Sequence, residues 1–198
     1  MGERGLRVVT EEATLARYSA LVSRRFVELE DIIPADGSIL LILKSGAEPS
    51  AELQLALGAP LPDAPLTSGV LHEIPIVYGG VSGPDLKAMA RRAGMSEPDY
   101  ANKHAAAEYI VAFLGFQPGF PYLRGLPNAM HAPRRASPRV RVAAGSVAVG
   151  GAYTGIYPAD GPGGWQIIGR TPAELFDPRR SAPALMMPGD RVRFVPHD

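Results

Sequence analysis

The apolar positions of the first eighty residues change period several times. Between Glu11 and Arg25, Leu15, Tyr18, Leu21 and Val22 recur at helical spacing, which puts their side chains on one face of an α-helix. Phe26 to Ile33 alternates apolar and polar positions and predicts a strand, and Ile39 to Leu43 is an apolar run short enough for a buried strand. Pro34-Ala-Asp-Gly37 between them has turn chemistry. Ser50 to Leu57 predicts a short helix with Ser50 as its N-cap. A link containing Pro60, Pro62 and Pro65 follows, then a strand from Glu73 to Tyr78.

With Leu6 to Val9 as a first strand, the order becomes β-α-β-β-α-β, the split βαβ arrangement of ferredoxin-like folds. Residues 1–80 are therefore expected to form a ferredoxin-like α+β domain. Gly79 to Pro84 is a loop. Asp85 to Ala93 predicts a helix closed by Gly94 at C′. Ser96 to His104 predicts another, with Ser96 as N-cap and Glu97, Pro98 and Asp99 suited to its first turn. Ala105 to Phe113 is ambiguous, because its alanines favour helix and Tyr109-Ile-Val-Ala-Phe113 favours strand.

From Gly115 to Pro172 there are 11 Gly and 8 Pro, a fraction that would by itself suggest low complexity. The β-branched runs between them, at Val140–Val142, Ser146–Val149, Thr154–Tyr157 and Trp165–Ile168, read as short strands of a small barrel or sandwich. Met187-Pro-Gly-Asp190 is a turn, and Arg191 to Val195 is an alternating terminal strand. Residues 81–198 are thus expected to form a mostly β domain, entered through a helical lead-in at 85–105.

Phe113-Leu-Gly-Phe-Gln-Pro-Gly-Phe-Pro-Tyr122 sets four aromatics among two prolines and two glycines. Pro118 and Pro121 exclude a helix, and the aromatic density argues against a disordered linker. The stretch reads as a rigid loop whose aromatic surface serves either a ligand pocket or a partner interface.

The 20 basic and 20 acidic residues cancel, which disfavours a nucleic-acid partner. The cancellation is uneven. Arg124 to Asp198 holds ten Arg, no Lys and five acidic residues, a surplus of guanidinium groups suited to carboxylate or phosphate. With no cysteine, disulfides, Cys-zinc sites and thiol nucleophiles are excluded. No apolar stretch approaches the length of a membrane span, and Met1 to Thr10 has no signal-peptide core. A cytoplasmic location is expected.

Nucleotide and hydrolase motifs are missing. Gly79-Gly-Val-Ser-Gly-Pro84 lacks the lysine of a phosphate loop and carries Pro84 where a nucleophile elbow needs glycine. The four histidines have no metal-ligand spacing, so no metal site is expected. Asp85 and His104 are the candidate catalytic pair if they face one pocket. Otherwise Asp85 caps a helix start and His104 sits as a cation at a helix end. Pro133-Arg-Arg-Ala-Ser-Pro-Arg139 places three Arg in a stiff loop, and Pro162-Gly-Gly-Trp165 brings a stacking face beside glycines. The candidates for substrate or phosphate binding are Phe120, Tyr122, Arg134, Arg139, Ser146, Thr154, Gly163, Gly164, Trp165 and Arg170.

These segments, among them His72-Glu-Ile-Pro-Ile-Val-Tyr78, Gly83-Pro-Asp-Leu86, Gly115–Leu123, Ala144-Gly-Ser-Val147, Thr154-Gly-Ile-Tyr-Pro158, Pro162-Gly-Gly-Trp165 and Pro188–Phe194, together resemble one family. Its members form the B subunit of bacterial ATP-dependent 5-oxoprolinase, and it is also called the KipI or allophanate hydrolase subunit 1 family. It is similar to one half of a urea carboxylase carboxyltransferase domain. Ala143, Tyr153 and Gly161 depart from the family's usual Pro, Gln and Ser. The resemblance implies a cyclophilin-like β-barrel after the ferredoxin-like domain. It implies a non-autonomous component working with the A and C subunits to open 5-oxo-L-proline to L-glutamate, with ATP as co-substrate accompanied by Mg²⁺. Two other readings are a regulatory inhibitor of a sensor histidine kinase and a carboxyltransferase half that needs biotin-bearing partners.

Overall fold

In the computed structural model, which describes residues 4–61 and 69–197, the chain divides into two units, Met1–Ser68 and Gly69–Asp198. Pro62 and Pro65 of the expected proline link lie outside the described residues.

The first unit runs β1 (Gly5–Val9), α1 (Thr14–Arg24), β2 (Leu29–Ala35), β3 (Ser38–Leu43) and α2 (Ala51–Gly58). The helix expected from Glu11 begins at Thr14, because Glu11 has a φ of +49° that an α-helix cannot accept. A short 3₁₀ turn at Glu11–Ala13 leads into it. Ser50 caps α2 as expected, its Oγ accepting from the Leu53 N–H at 3.1 Å. The strands form an antiparallel sheet in the order β1-β3-β2. Ile39, Leu41 and Leu43 of β3 are buried with Leu21 of α1 and Leu53 of α2. Arg17 on α1 donates to the Ala56 and Ala59 carbonyls at 2.8 Å each, satisfying the C-terminus of α2.

The strand expected at Glu73–Tyr78 does not complete this sheet, which has three strands among the described residues. It is β4 (Leu71–Tyr78), and it belongs to the second unit, where it lies parallel to the terminal strand β12 (Arg191–Pro196). The division between units therefore falls before β4. The reason is long-range: the partner that β4 needs is more than a hundred residues away, and Ile74 and Ile76 are buried beside Phe194 and Val192.

After β4 come α3 (Leu86–Arg92), α4 (Glu97–Ala106), β5 (Tyr109–Leu114), β6 (Pro121–Arg124), β7 (Arg139–Val142), β8 (Ser146–Gly150), β9 (Tyr153–Ile156), β10 (Gly161–Gly163) and β11 (Gln166–Arg170). Seven strands close into a barrel in the order β11-β4-β12-β5-β6-β9-β8, while β7 and β10 pair as a separate ribbon. Closure removes the free sheet edges. Gly94 takes the left-handed C′ conformation after α3, with φ +68°, and Ser96 caps α4. The ambiguous segment divides: the alanines up to Ala106 are helix, and Tyr109 onward is strand. Leu86 and Met89 of α3 and Tyr100 of α4 join the barrel core of Val111, Leu123, Val149 and Ile168. No helix among the described residues is long and apolar enough to cross a membrane.

Candidate functional site

The aromatic stretch, expected as a rigid loop, is a β-hairpin. Phe113 pairs with Tyr122 and Leu114 with Pro121 across β5 and β6, and the Phe113 and Tyr122 rings stack at 4.3 Å. Phe120, just before β6, is buried. It meets Tyr157 edge-on at 5.1 Å and Trp165 at 5.4 Å. Two glycines let these rings assemble. A Cβ at Gly150 would lie 2.4 Å from the Trp165 ring, and one at Gly163 would lie 2.4 Å from the Tyr157 hydroxyl.

The 133–139 loop is held against the same place. The Arg135 N–H donates to the Gly164 carbonyl at 2.6 Å, and Gln166 Nε2 donates to the Pro133 carbonyl at 3.2 Å. Arg134 thereby reaches over the Trp165 ring, with Cζ 5.8 Å from its centroid, within cation–π range. Together these elements enclose a cavity of about 160 Å³ lined by Phe116, Phe120, Tyr122, Arg134, Arg135, Pro138, Tyr157, Gly163, Gly164 and Trp165. Its floor of Phe120, Tyr157 and Trp165 is buried, and its rim of Phe116, Arg134 and Pro138 is exposed. Burial raises the pKa of Tyr157, partly offset by the Trp165 backbone N–H, so its phenol stays protonated at neutral pH.

Asp85 stands behind this wall. Although at the start of α3, it makes no cap there, contrary to the helix-capping expectation. Its Oδ2 accepts the Ile167 N–H at 2.7 Å, and its Oδ1 accepts from Arg139 at 2.8 Å and Arg135 at 3.4 Å. One carboxylate thus serves two guanidiniums, and Arg134 has no acidic partner among the described residues. Arg135 Nε and Arg139 Nη1 are buried without a partner among the described residues. Arg134 and Arg135 thus give the cavity wall positive charge in excess of the one carboxylate behind it, an arrangement that favours an anion.

His104 is not part of this site. It is wholly buried, and burial lowers its pKa to about 3, so it is not the helix-end cation expected. Its neighbours fix its tautomer. Thr154 donates its hydroxyl hydrogen to the Ala148 carbonyl at 3.0 Å, so the Thr154 oxygen accepts from His104 Nε2 at 3.0 Å. Nδ1 is then the acceptor for the Tyr78 hydroxyl at 2.7 Å. Both ring nitrogens are used inside the barrel, on Thr154 and Tyr78 rather than on Asp85.

Of the candidates from sequence, the structure brings Phe120, Tyr122, Arg134, Gly163, Gly164 and Trp165 into one cavity. Arg139 lies behind it on Asp85. Ser146 and Thr154 are buried in the barrel wall. Arg170 donates to the Ala144 carbonyl and faces a separate groove with Glu174, Phe176 and His197. Phe116, Arg135, Pro138 and Tyr157 are cavity residues absent from the sequence candidates. All four sit inside motifs visible in the chain, Arg135 directly beside Arg134. Spacing carries no signal for the direction in which each of these side chains points. Among the described residues no group of three His, Asp or Glu side chains is placed to hold a metal.

Residues 3–186 match the carboxyltransferase domain, subdomain C and D, family. The chain is 59% identical over 124 residues to the B subunit of 5-oxoprolinase from Escherichia coli O157:H7, covering 63% of this chain and 57% of that protein. It is 48% identical over 123 residues to the B subunit of 5-oxoprolinase from Bacillus subtilis, covering 62% and 51%. The chain thus spans just over half the length of these relatives. Among solved structures it is similar to TTHA0988 at 36% identity and a TM-score of 0.79, covering 98% of this chain and 40% of that one. It is also similar to the uncharacterized protein PH0987 from Pyrococcus horikoshii at 34% identity and 0.64, covering 100% and 96%. The urea carboxylase of Kluyveromyces lactis, 20% identical with a TM-score of 0.72 and covered over 21% of its length by all of this chain, shares the fold.

Proposed function

Since this chain belongs to the carboxyltransferase domain, subdomain C and D, family, we propose that it acts as one component of an ATP-dependent 5-oxoprolinase that opens 5-oxo-L-proline to L-glutamate. The observation that carries this reading is the cavity: aromatic walls, a rim of arginines in excess of carboxylates, and a volume of about 160 Å³. That volume is below the range of pockets that enclose larger ligands, roughly 300–1,000 Å³. A five-membered lactam with a carboxylate fits the chemistry, and a nucleoside triphosphate exceeds the space. The names of the curated relatives support the same activity.

In this reading the chain binds and orients. Arg134 and Arg135 take the carboxylate, and the aromatic floor holds the ring and excludes water. A lactam carbonyl is a poor electrophile. Phosphoryl transfer from ATP to its oxygen makes the ring carbon attackable by water. Cleavage of the C–N bond leaves an acyl phosphate, which a second water hydrolyses to glutamate and phosphate. ATP and its Mg²⁺ are handled with the partner A and C subunits, and the chain alone turns over little or nothing. The closed barrel fits the cyclophilin-like module that such a component carries. The three-stranded first unit is read as an incomplete ferredoxin-like arrangement.

The test is reconstitution of the three proteins with ATP and 5-oxoproline, following glutamate release. The expected result is turnover that depends on this chain. Undiminished turnover in its absence would remove the proposal.

A further inference from the structure

Phe116 combines an unfavourable backbone with an unfavourable exposure. Its φ of +63° lies in the left-handed region, where a bulky aromatic is penalised by its Cβ. Arg25, with φ +51°, is left-handed where α1 ends; Phe116 ends no helix. The hairpin tip enforces the conformation. The Gln117 N–H donates to the Gly115 carbonyl at 2.7 Å, the Gly115 N–H to the Phe120 carbonyl at 3.1 Å, and the Phe120 N–H to the Gln117 carbonyl at 3.0 Å. Glycine would serve this backbone better. The ring gains little by staying, since the residue is 58% exposed. What the strain does achieve is placement. The ring stands at the cavity mouth, edge-on to Phe120 at 5.5 Å and to Tyr157 at 6.1 Å. Strain retained at a site lining a cavity points to function.

We propose that Phe116 is the specificity-determining wall of this cavity. Its ring covers the apolar face of a small cyclic carboxylic acid seated on Phe120, Tyr157 and Trp165, while Arg134 and Arg135 hold the carboxylate. The inference rests on the cavity reading given under the proposed function. A flat lactam is neutral at nitrogen and fits between aromatic faces. The ring-opened product is a flexible chain with an ammonium group and a second carboxylate. None of the residues lining the cavity is an Asp or Glu that could pair with the ammonium, and the aromatic walls desolvate the added charges, so the wall favours the cyclic acid over its open form.

Trp165 is the sole tryptophan of the chain and forms the cavity floor, so its fluorescence reports occupancy. The experiment titrates 5-oxoproline, and separately glutamate, into the parent chain and into Phe116→Gly, Phe116→Ala and Phe116→Leu, with Tm measured for each. Phe116→Gly is expected to raise Kd for 5-oxoproline at least about fivefold while its Tm stays at or above the parent's, because strain is relieved. Phe116→Ala is expected to weaken binding equally with a lower Tm, and Phe116→Leu to retain part of the affinity. Glutamate is expected to bind at least about tenfold more weakly than 5-oxoproline to the parent, since its ammonium lacks a partner. An unchanged Kd in Phe116→Gly overturns the proposal, as does a parent chain whose fluorescence ignores 5-oxoproline. Weaker co-purification with the A and C subunits at unchanged Kd also overturns it and makes Phe116 an interface residue. Reconstituted turnover separates the two claims. An active complex containing Phe116→Gly with parental KM sinks the wall alone, and an inactive parent complex sinks the oxoprolinase reading while the titration still decides the wall.

Discussion

Trp165 lies directly on Gly150: a Cβ added there would stand 2.4 Å from the indole ring. The cavity floor thus depends on an absent side chain in β8. Gly150→Ala is expected to destabilise the second unit by about 1–3 kcal/mol through overpacking. The displaced indole should emit at a different wavelength and lose its response to 5-oxoproline. Denaturant unfolding and an emission spectrum check both, and an unchanged spectrum would show that the ring relaxes without leaving the floor.

Arg134 and Arg139 should fail in different ways. Arg134→Ala removes an unpaired cation at the rim, so KM for 5-oxoproline in a reconstituted complex is expected to rise about tenfold or more, with Tm nearly unchanged. Arg139→Ala strips Asp85 of its 2.8 Å partner and leaves Arg135 at 3.4 Å. A stability loss of about 1–3 kcal/mol is expected, along with reduced activity. Steady-state kinetics and thermal melts on both variants separate the roles; full activity for both in a normal complex would show that Arg134 does not bind substrate and that Arg139 does not support the site through Asp85.

The buried His104 makes stability depend on pH. Its pKa falls from 6.5 in the unfolded chain to about 3 in the fold, so between those values the unfolded state binds the extra proton. Stability is then fully present above pH 6.5 and is lost as pH falls, by about 1.4 kcal/mol per unit at the steepest. His104→Gln should flatten that slope between about pH 6 and 4, whatever it costs at neutral pH. Denaturant titrations at several pH values measure it, and parallel slopes for parent and variant would assign the acid sensitivity elsewhere.

Ser50→Ala should cost about 1 kcal/mol and act locally. Amide hydrogen exchange is expected to accelerate in α2, starting at Leu53, whose N–H loses its 3.1 Å acceptor. The barrel amides should keep their protection.

Local structure is largely legible in the sequence because its causes are local. Ser50 and Ser96 as caps, Gly94 after α3 and the strands between the glycines and prolines of 115–172 each follow from neighbours a few residues away. The site is legible as a set of residue types. Arg134, Phe120 and Trp165 stand out by residue type and come together in the cavity, yet spacing does not distinguish Arg134 at the rim from Arg139 behind it, since the difference is which one Asp85 captures.

The helices, most strands, the Gly/Pro-rich β character of the second half and the motifs that mark the family can be read along the chain. Tertiary structure decided three things. It assigned Glu73–Tyr78 to the barrel, because a strand's sheet is chosen by a partner distant in the chain. It turned His104 from a helix-end cation into a neutral core residue, because burial outweighs the helix dipole. It also made the aromatic stretch a hairpin that builds a cavity wall, because pairing of β6 with β9, and of β8 with β9 and β11, gathers Phe116, Phe120, Tyr157 and Trp165 from separate parts of the chain.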